Sequence, residues 1–359
     1  MNKIEFGDCR DTMRRWKQQG IKAQTCVTSP PYYGLRDYGT AKWEGGDDDC
    51  EHSISMPTKW NDPKRGTSVL RPETAHRGGS STHCHKCGAT RIDSQLGLEE
   101  TPEQYIAAMV EVFRCVWDVL EDDGTLWLNI GDSYNGSGGQ GTKPNIMSKE
   151  AAEGRGGKAI KVDGIKSKDL IGIPWMLAFA LRADGWYLRQ DIIWHKPNPM
   201  PESVQDRCTK AHEYIFLMSK SQKYYFDAEA IKEEAIGARG GAPIKARNPE
   251  FRQGDVKFVN EGLANGWQPS EDRNKRSVWT VNTKPYAGAH FAVFPTELIE
   301  PCIMAGAPIG GIVLDPFMGS GTTAQVAQNL GRQYLGCELN ENYKSLQDQR
   351  LRQLTLELA

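Results

Sequence analysis

The sequence predicts an α/β protein built on a Rossmann-like sheet of seven strands that is circularly permuted and carries loop insertions. Three observations predict this fold. Strand-like apolar runs alternate with helical patterns along most of the 359 residues. A glycine-rich turn between a strand and a helix lies near the C-terminus, at residues 311–323. Too few strands follow that turn to complete a nucleotide-binding half, so the N-terminal strand is expected to supply one.

Local patterns place the individual elements. The expected strands lie at 3–6, 25–27, 125–130, 186–194 and 214–218, with the last two forming a pair, and at Ile312 and Tyr334. The expected helices run to about Gln19, from Thr101 to Leu120, over 174–181, before the strand at Ile312 and after each of the last two strands. Proline is tolerated in the first turn of a helix, so Thr101-Pro-Glu-Gln indicates a helix start.

The two ends of the chain are predicted to meet in space. The C-terminal strands need a parallel neighbour, and the strand at 3–6 can supply it. This arrangement would put Asp8, just after the first strand, beside Glu338, at the end of the last one. An ordinary surface turn is the alternative interpretation of Asp8.

Residues 28–33, Thr-Ser-Pro-Pro-Tyr-Tyr, directly follow an apolar strand. Proline fixes its own φ, lacks an N–H and disfavours helical geometry in the preceding residue, so Pro30 and Pro31 force the chain out of the sheet. The hydroxyl of Ser29, the carbonyls of Ser29 and Pro30 and the ring of Tyr32 then share one short loop. Such groups can accept two hydrogen bonds from an amine while stacking on a flat ring. The loop therefore indicates a pocket for a nucleobase amine, with a proline-terminated strand and a surface Tyr as the alternative.

Residues 311–323 combine a β-branched strand, a glycine turn and a helix start. Gly319 and Gly321 permit positive φ and close backbone approach, and the helix N-terminus favours an anionic ligand group. A phosphate-binding P-loop would need Lys before Thr322, and none is present. Glu338 ends the next strand, about where a Rossmann-type fold binds a ribose diol. The spacing indicates an adenosine-containing cofactor.

Together these segments resemble the S-adenosylmethionine-dependent DNA amino-methyltransferases, which methylate the exocyclic N4 of cytosine or N6 of adenine. The order of the segments, catalytic motif before cofactor motif, is that of the permuted beta group. Looser matches occur at Gly7-Asp8, at Trp194-His-Lys-Pro-Asn and at Ala292-Val-Phe-Pro-Thr-Glu-Leu, so the likeness covers most of the chain. The resemblance implies a seven-stranded methyltransferase sheet and S-adenosylmethionine as cofactor.

The resemblance also assigns site residues. The catalytic positions are Ser29, Pro30, Pro31 and Tyr32. The positions at the cofactor are Asp8, Phe294, Thr296, Asp315, Pro316, Phe317, Gly319, Ser320, Gly321, Thr322, Thr323 and Glu338. In the family, the acid in the Asp8 position faces the cofactor's adenine amino group. The expected reaction is direct in-line methyl transfer to the amine of a base extruded from DNA, stacked on Tyr32 or, less favoured, Tyr33.

Ser29 favours cytosine N4 as the target, because the family associates Ser at this position with cytosine N4 and Asp with adenine N6. Ser donates and accepts hydrogen bonds, whereas an ionised Asp only accepts them. Adenine N6 is the alternative, and glutamine side chains or RNA guanine, the targets of enzymes with Asn-Pro-Pro-Tyr loops, are disfavoured. A zinc-bearing DNA-binding protein with an inactive core is an alternative of another class, yet no motif is damaged. A nicotinamide oxidoreductase would need the third glycine of Gly-x-Gly-x-x-Gly.

Two further segments invite a catalytic interpretation. Cys302 follows a proline, like the nucleophile of cytosine-C5 methylation, but it lies in the predicted helix before the cofactor strand and is expected to be a core residue. By residue type, His195 could act as a base and Lys196 could contact a phosphate. Structural placement of their loop beside the active site is the favoured interpretation.

Residues 40–95 interrupt the α/β alternation and contain Cys50-Glu-His52 and Cys84-His-Lys-Cys87-Gly. A Cys-x2-Cys knuckle places two sulfurs on one metal, and a distant Cys-x-His can complete a tetrahedral set. The insertion has too few apolar residues for a core of its own, so a structural Zn²⁺ would hold it folded. The expected ligands are Cys50, His52, Cys84 and Cys87. His83 and His85 compete with His52 for the fourth place, and free thiols are the alternative.

Composition bears on the cellular location of the protein and on how it would bind DNA. Nine cysteines, an odd number, suit a reducing compartment, and neither a membrane-length apolar run nor an apolar leader is present, so a cytoplasmic location is expected. The net charge of −2 means that DNA must be bound by local basic surfaces. Two glycine-rich stretches, 143–168 with seven Lys or Arg against three acids and 239–257 with five against two, are candidates, and solvated surface loops are the alternative.

The expected organisation follows from these assignments. Residues 1–39, 96–135 and 169–230 form the catalytic half, 40–95 the zinc-binding insertion, 136–168 a basic flexible loop, 231–284 a variable DNA-recognition insertion and 285–359 the cofactor-binding half. The expected partner is DNA, in double-stranded form, and no membrane. Analogy with the family adds a homodimer and a companion restriction endonuclease. No side chain of the insertions can be matched to a base, so the sequence does not predict a recognition site.

Overall fold

A computed structural model describes residues 1–34, 40–52, 59–61, 68–70, 83–136, 162–235, 272–284 and 294–357 of the protein. At 59–61, 68–70 and 353–357 only the backbone is described. Most of the two basic stretches, and with them much of the predicted loop 136–168 and recognition insertion 231–284, lie outside these ranges. Their assigned roles, like the domain boundaries, stay predictions.

The described residues contain six α-helices and fourteen strands. The helices are α1 Cys9–Gln18, α2 Pro102–Val119, α3 Ile173–Ala183, α4 Thr296–Gly306, α5 Thr322–Asn329 and α6 Lys344–Glu357. The strands are β1 Asn2–Phe6, β2 Ala23–Thr28, β3 Lys42–Glu44, β4 Lys59–Asn61, β5 Ser68–Leu70, β6 Thr90–Ile92, β7 Leu120–Ile130, β8 Tyr187–His195, β9 His212–Ser219, β10 Glu233–Glu234, β11 Asp272–Arg273, β12 Val278–Thr280, β13 Ile312–Asp315 and β14 Gln333–Glu338. Every element expected from the sequence is present, with boundaries that differ by a few residues.

Eight of these strands form one central sheet in the order β1-β14-β13-β2-β7-β9-β8-β12. Strand β9 is antiparallel to both of its neighbours, and every other pair in the sheet is parallel. The predicted seven-stranded sheet is therefore confirmed, and the short strand β12 adds an eighth member at its edge. The predicted pairing of the strands at 186–194 and 214–218 is the antiparallel β8–β9 ladder.

The ends of the chain meet, as the sequence predicted. Strand β1 lies parallel to β14, with Phe6 opposite Glu338. The backbone N–H of Gly7 donates to the carbonyl oxygen of Glu338 at 2.8 Å. The first strand therefore completes the C-terminal half of the sheet and brings Asp8 to the same edge as Glu338.

Helices cover both faces of the sheet. One buried apolar cluster combines side chains of α1, α2 and α3, including Trp16, Phe113 and Leu177, with one face of the strands. A second cluster combines α4 and α5, including Ile303 and Val326, with the other face. Helix α2 begins with a capping box, in which the Thr101 hydroxyl accepts from the Gln104 N–H at 3.2 Å and the Gln104 side chain accepts from the Thr101 N–H. The two layers fix the carboxyl edge of the strands, where the predicted site residues lie.

The insertion at 40–95 is built from small antiparallel pieces. Strand β3 pairs with β6, and β4 pairs with β5, both antiparallel. Across the described residues, no helix is long and apolar enough to cross a membrane.

Candidate active site and metal centre

The two predicted loops lie side by side. Strands β2 and β13 are parallel neighbours, with Thr25 opposite Val313 and Cys26 opposite Leu314. Their carboxyl ends therefore deliver the 28–33 loop and the 315–323 loop to the same edge of the sheet. A direct bond joins them, because the Thr28 hydroxyl donates to Asp315 Oδ1 at 2.6 Å.

Asp315 organises both loops from a position that is 1% exposed. Its Oδ1 also accepts from the Phe317 N–H at 3.0 Å, and its Oδ2 accepts from the Thr323 hydroxyl at 2.6 Å. Burial raises the pKa of this carboxyl to about 6, and the hydrogen bonds from Thr28, Thr323 and Phe317 oppose that rise. Asp315 was predicted at the cofactor, and the structure shows it bonded to three protein donors. Asp315 therefore stabilises the loop through these three hydrogen bonds.

Glu338 holds the glycine turn. Its Oε2 accepts from the Gly319 N–H at 2.7 Å, and its Oε1 accepts from the Asn340 N–H at 2.8 Å. Burial raises the pKa of this carboxyl to about 7, with the two N–H groups opposing the rise. A carboxylate offers about four lone-pair sites, so two acceptor sites are left for a ligand hydroxyl pair.

The glycine turn brings backbone close to the site. Gly319 has φ +55° and Gly321, the residue before α5, has φ +87°, both in the left-handed region that favours glycine. Ser320 is 4% exposed, and no described residue hydrogen-bonds to its Oγ. A buried hydroxyl without a protein partner is a candidate ligand contact.

The two threonines of this loop face the protein. Thr322 accepts a hydrogen bond from Arg350 of α6, and Thr323 donates to Asp315. Pro316 is buried and Phe317 is half-buried. The threonine hydroxyls thus fasten α5 to its surroundings, so any cofactor contact from them would be made through backbone.

The remaining predicted cofactor residues lie at or just before the start of a helix. Asp8 caps α1 by accepting from the Arg10 N–H at 2.8 Å and forms a 2.6 Å ion pair with the Arg10 guanidinium. Burial opposes the charge of Asp8, but the bonds to Arg10 outweigh it and lower the pKa of the carboxyl. Phe294 packs on the second apolar cluster, and Thr296 begins α4.

The predicted catalytic loop, residues 28–33, is held in place by residues that are distant in sequence. The Pro31 carbonyl accepts from the Tyr105 hydroxyl of α2 at 2.8 Å. An ideal Cβ at Gly131 would lie 2.6 Å from Tyr32 Cε2, so only glycine leaves room for this ring. Tyr33 is 4% exposed and donates to the Glu100 carbonyl at 3.2 Å. Tyr33 is therefore a core residue, and Tyr32 is the ring at the site.

Two residues absent from the expected site, Glu213 and Asn129, contact the Tyr32 hydroxyl. Glu213 Oε2 accepts from it at 2.9 Å, and Asn129 Oδ1 lies 3.3 Å away. Lys196 Nζ forms an ion pair with Glu213 Oε1. The placement of the Lys196 loop beside the site agrees with the favoured interpretation of the sequence. Neither residue belongs to a motif: Asn129 lies within an apolar run of β7, and Glu213 lies at the start of β9, next to His212.

Cys302 is confirmed as a core residue. It is 1% exposed within α4, and its Sγ lies 3.7 Å from the Leu298 carbonyl oxygen, a bond within the same helix. Burial raises the pKa of this thiol well above its ordinary range, which disfavours a nucleophilic thiolate.

The four predicted metal ligands form one cluster. The ligand atoms of Cys50, His52, Cys84 and Cys87 all lie within 4.8 Å of one another. Cys50 Sγ is 4.0 Å from Cys84 Sγ, and Cys87 Sγ is 3.3 Å from His52 Nδ1. Two sulfurs bound tetrahedrally at about 2.3 Å would be about 3.8 Å apart, so the donor set fits zinc. The cluster contains His52 and neither His83 nor His85.

The knuckle around Cys87 supports thiolate ligation. Gly88 N–H donates to the Cys84 carbonyl at 2.9 Å, and Cys84 N–H donates to the Ala89 carbonyl at 2.7 Å. The backbone N–H groups of Asp47 and Ala89 lower the pKa of the Cys87 thiol. Donors aimed at a sulfur stabilise its ionised form, which is the form that binds metal.

The fold and the paired loops define a Rossmann-like methyltransferase. A family model described as DNA methylase, of the N6/N4 type, matches residues 23–349. The chain belongs to this family, the S-adenosylmethionine-dependent DNA amino-methyltransferases.

Curated relatives and a solved structure agree with this assignment. The chain is 41% identical to the Type II methyltransferase M.Cfr9I of Citrobacter freundii over 345 residues, which cover 96% of this chain and 86% of the relative. It is 41% identical to the Type II methyltransferase M.SmaI of Serratia marcescens over 352 residues, 97% of this chain and 90% of the relative. The structure of PvuII DNA methyltransferase, cytosine-N4-specific, has the same fold, with a TM-score of 0.53 at 14% identity over 97% of this chain and 86% of that one.

Proposed function

We propose that the protein is a site-specific DNA methyltransferase that transfers the methyl group of S-adenosylmethionine to the exocyclic N4 of cytosine. The observation that carries this proposal is the juxtaposition of the Ser29 loop and the cofactor loop, joined by the 2.6 Å bond between Thr28 and Asp315. Methyl transfer needs the donor carbon and the acceptor nitrogen in line, so the two loops must be held in a fixed relation.

The cofactor supplies an activated methyl group on a sulfonium, and the protein positions the amine. In the proposed site, Ser29 Oγ and the Pro30 carbonyl accept the two amine protons. This reduces delocalisation of the nitrogen lone pair into the ring and aims it at the methyl group. The base is extruded from the duplex and stacks on Tyr32. After transfer, the cationic nitrogen is strongly acidic and loses a proton, so Ser29 need not act as a strong base.

The cofactor would occupy the other loop. We infer that the free acceptor sites of Glu338 take the ribose diol, and that Ser320, Phe317 and the backbone of Gly319 and Gly321 line its path. The other predicted cofactor positions are Asp8, Phe294, Thr296, Asp315, Pro316, Thr322 and Thr323, and we infer that they support or flank this path. Because the Asp8 carboxyl is paired with Arg10, contact with the adenine amino group would use the acceptor capacity left beside that pair.

The choice of cytosine N4 over adenine N6 rests on Ser29. To test it, the purified protein is incubated with unmethylated genomic DNA and S-adenosylmethionine, and the digested nucleosides are identified by mass spectrometry. N4-methylcytosine is the expected product. N6-methyladenine would overturn the target and keep the enzyme class, whereas an unmodified DNA would contradict the proposal. Tyr32→Ala should lose base binding and rate while cofactor affinity stays unchanged.

We also propose that Cys50, His52, Cys84 and Cys87 bind one structural Zn²⁺. Four protein ligands leave no open coordination position, so the ion would hold the insertion folded and take no part in methyl transfer. The proximity of the four donor atoms, all within 4.8 Å of one another, supports this proposal.

Zinc content of the purified chain tests the metal site. The wild type should carry about one zinc per chain, and Cys87→Ser and His52→Ala should lose it. Cys208→Ser, which removes an exposed cysteine, and His83→Ala serve as matched controls and should keep it. A metal-free wild type that retains its fold, or zinc loss in His83→Ala but not His52→Ala, would contradict the assignment.

The relatives bear on the substrate and the biological role of the protein. The similarity to Type II methyltransferases supports DNA as substrate and a role in a restriction-modification system. We further propose that the DNA is double-stranded, that a companion endonuclease exists and that the protein is cytoplasmic. A homodimer is part of the same proposal, and light scattering of the purified protein tests it.

A further inference from the structure

We propose that Glu213 is a positioning residue of the methyl-transfer site, which acts through Tyr32 to set the direction in which the Ser29 hydroxyl donates its hydrogen bond. This inference rests on the proposed function, because it concerns how Ser29 presents itself to the target amine. It assigns a role to a residue of β9 that is distant in sequence from both loops.

Glu213 is enclosed by donors. Its Oε2 accepts from the Tyr32 hydroxyl at 2.9 Å and from Asn129 Nδ2 at 3.4 Å, and its Oε1 accepts from Lys196. The side chains of Glu213 and Lys196 are each 17% exposed, so water screens the pair only partly. The Lys196 ammonium also lies 4.1 Å from the centre of the Trp194 ring. The carboxylate therefore has a fixed place and fixed partners.

The Tyr32 hydroxyl has one proton and two acceptors within reach. Glu213 Oε2 lies at 2.9 Å and is charged, whereas Asn129 Oδ1 lies at 3.3 Å and is neutral. Charge-assisted hydrogen bonds are shorter and stronger than neutral ones, so the proton points to Glu213. Asn129 is held in turn by its own donation to the Tyr214 carbonyl at 3.0 Å.

This direction has a consequence for Ser29. With its proton directed at Glu213, the Tyr32 oxygen can only accept from its other neighbour, Ser29 Oγ, which lies 3.5 Å away. Ser29 then donates toward Tyr32, and its lone pairs remain for the target amine. An amine presents protons, so an accepting Ser29 is the competent form.

Residue 213 must be a carboxylate because Lys196 and Tyr32 both donate hydrogen bonds to it. Lysine is a donor only, so it requires an acceptor on one side of residue 213, and Tyr32 requires another on the other side. An amide has one oxygen and one NH₂ group. If the oxygen faced Lys196, the NH₂ would face Tyr32, and the Tyr32 proton would turn to Asn129 or to Ser29, so the direction of the Ser29 hydrogen bond would no longer be fixed.

The ring of Tyr32 is fixed independently of this chain of bonds. Gly131 leaves space for the ring edge, and Tyr105 holds the neighbouring Pro31 carbonyl. Loss of the Glu213 charge should therefore change the orientation of the hydroxyls while the stacking surface stays in place.

The test compares Glu213→Gln, Tyr32→Phe and the double variant. The rate of methyl transfer is measured in single turnovers with radiolabelled S-adenosylmethionine, unmethylated genomic DNA and excess enzyme. Each single variant should slow the reaction about 10-fold or more, because a misdirected group near the reacting atoms has effects of this size. The DNA concentration for half-maximal rate should change little. The double variant should be no slower than the slower single variant.

Asp184→Asn is the matched control. It removes an ion pair with Arg114 that joins α2 to α3, and it should stay within about twofold of the wild-type rate. The cofactor affinity of Glu213→Gln should equal that of the wild type, and its unfolding temperature should fall no more than the loss of the Lys196 ion pair explains. Because Tyr32→Phe keeps the ring and loses the acceptor for Ser29, it carries the same prediction if Glu213→Gln fails to fold.

Two results would overturn the inference alone: a wild-type rate in Glu213→Gln or Tyr32→Phe, or effects of the two changes that multiply in the double variant. A wild-type protein that methylates no DNA would overturn the proposed function as well. The two failures are thus distinguishable in one set of assays.

Discussion

The catalytic loop and the cofactor loop leave neighbouring parallel strands, yet different kinds of contact hold them. Within the cofactor loop, Asp315 bonds to Phe317 and Thr323, two and eight residues away, and Gly319 bonds to Glu338, 19 residues away. The catalytic loop instead depends on Tyr105, 74 residues from its partner Pro31, and on Glu213, 181 residues from Tyr32. One loop is built locally, and the other is assembled by the fold.

This difference predicts how each loop responds to substitution. A loop held by backbone geometry and buried polar groups fails as a unit when its central acceptor is removed. A loop held by separate distant side chains loses its alignment step by step, while the fold stays intact. Substitutions at Asp315, Glu338 and Tyr105 should separate these two kinds of support, with effects that decrease in that order.

Asp315→Ala should have the largest effect. It removes the acceptor of three hydrogen bonds at a buried site and leaves the donors unsatisfied, at about 1–3 kcal/mol each. We expect the free energy of unfolding to fall by about 3 kcal/mol or more, with loss of both cofactor binding and methyl transfer. Chemical denaturation and isothermal titration calorimetry measure the two losses. Asp315→Asn keeps one acceptor and should lose less; equal losses in both variants would argue against hydrogen bonding as the cause.

Cofactor affinity should depend on pH through Glu338. Burial raises the pKa of this carboxyl from 4.5 to about 7, and we expect the ionised form to bind the ribose diol. As the pH falls from 8 to 6, protonation should weaken S-adenosylmethionine binding by up to about 10-fold. Titration calorimetry at several pH values gives the dependence.

Glu338→Ala is the control, since any pH dependence that persists in it belongs to another group, such as Asp315, whose pKa is raised to about 6, or the cofactor's own amino group. A wild type and variant with parallel pH profiles would contradict the assignment. The raised pKa should have the opposite effect on the unliganded fold. Its contribution to stability is present below the unfolded pKa of 4.5 and is lost as the pH rises through about 7.

Tyr105→Phe should have the smallest effect on the fold and a selective effect on rate. It removes the hydroxyl bond to the Pro31 carbonyl, at a cost of about 1 kcal/mol. Tyr33→Phe removes a comparable bond to the Glu100 carbonyl, made by the buried last residue of the loop. We expect similar losses of unfolding free energy, with slower methyl transfer in Tyr105→Phe only. Equal rates in the two variants would show that the catalytic loop does not need this support.

Much of the fold was predictable because it follows from local patterns. Apolar runs placed the strands, and the shortage of strands after 311–323 predicted that β1 would pair with β14. The Cys-x2-Cys knuckle and the Cys-x-His pair predicted the four-residue cluster around Cys87. Strand β12 was not predicted, because three residues carry no measurable period.

Within the site, residue type and position were predictable, but orientation was not. Thr322 and Thr323 follow the glycine turn as expected, yet their hydroxyls bond to Arg350 and Asp315. The direction of a side chain depends on the partners that packing brings near it, and these partners come from other elements.

The sequence alone was enough to predict the local geometry of each loop, because a Pro-Pro pair, a glycine turn and a Cys-x2-Cys knuckle act through the backbone of neighbouring residues. Folding, in contrast, sets which tyrosine of the 28–33 loop is buried, which acids accept from protein donors, and that Glu213, paired with Lys196, accepts from the Tyr32 hydroxyl. The difference arises from the distance along the chain over which each effect acts. Backbone preferences act over a few residues, whereas hydrogen bonds and packing act between any atoms that folding brings into contact.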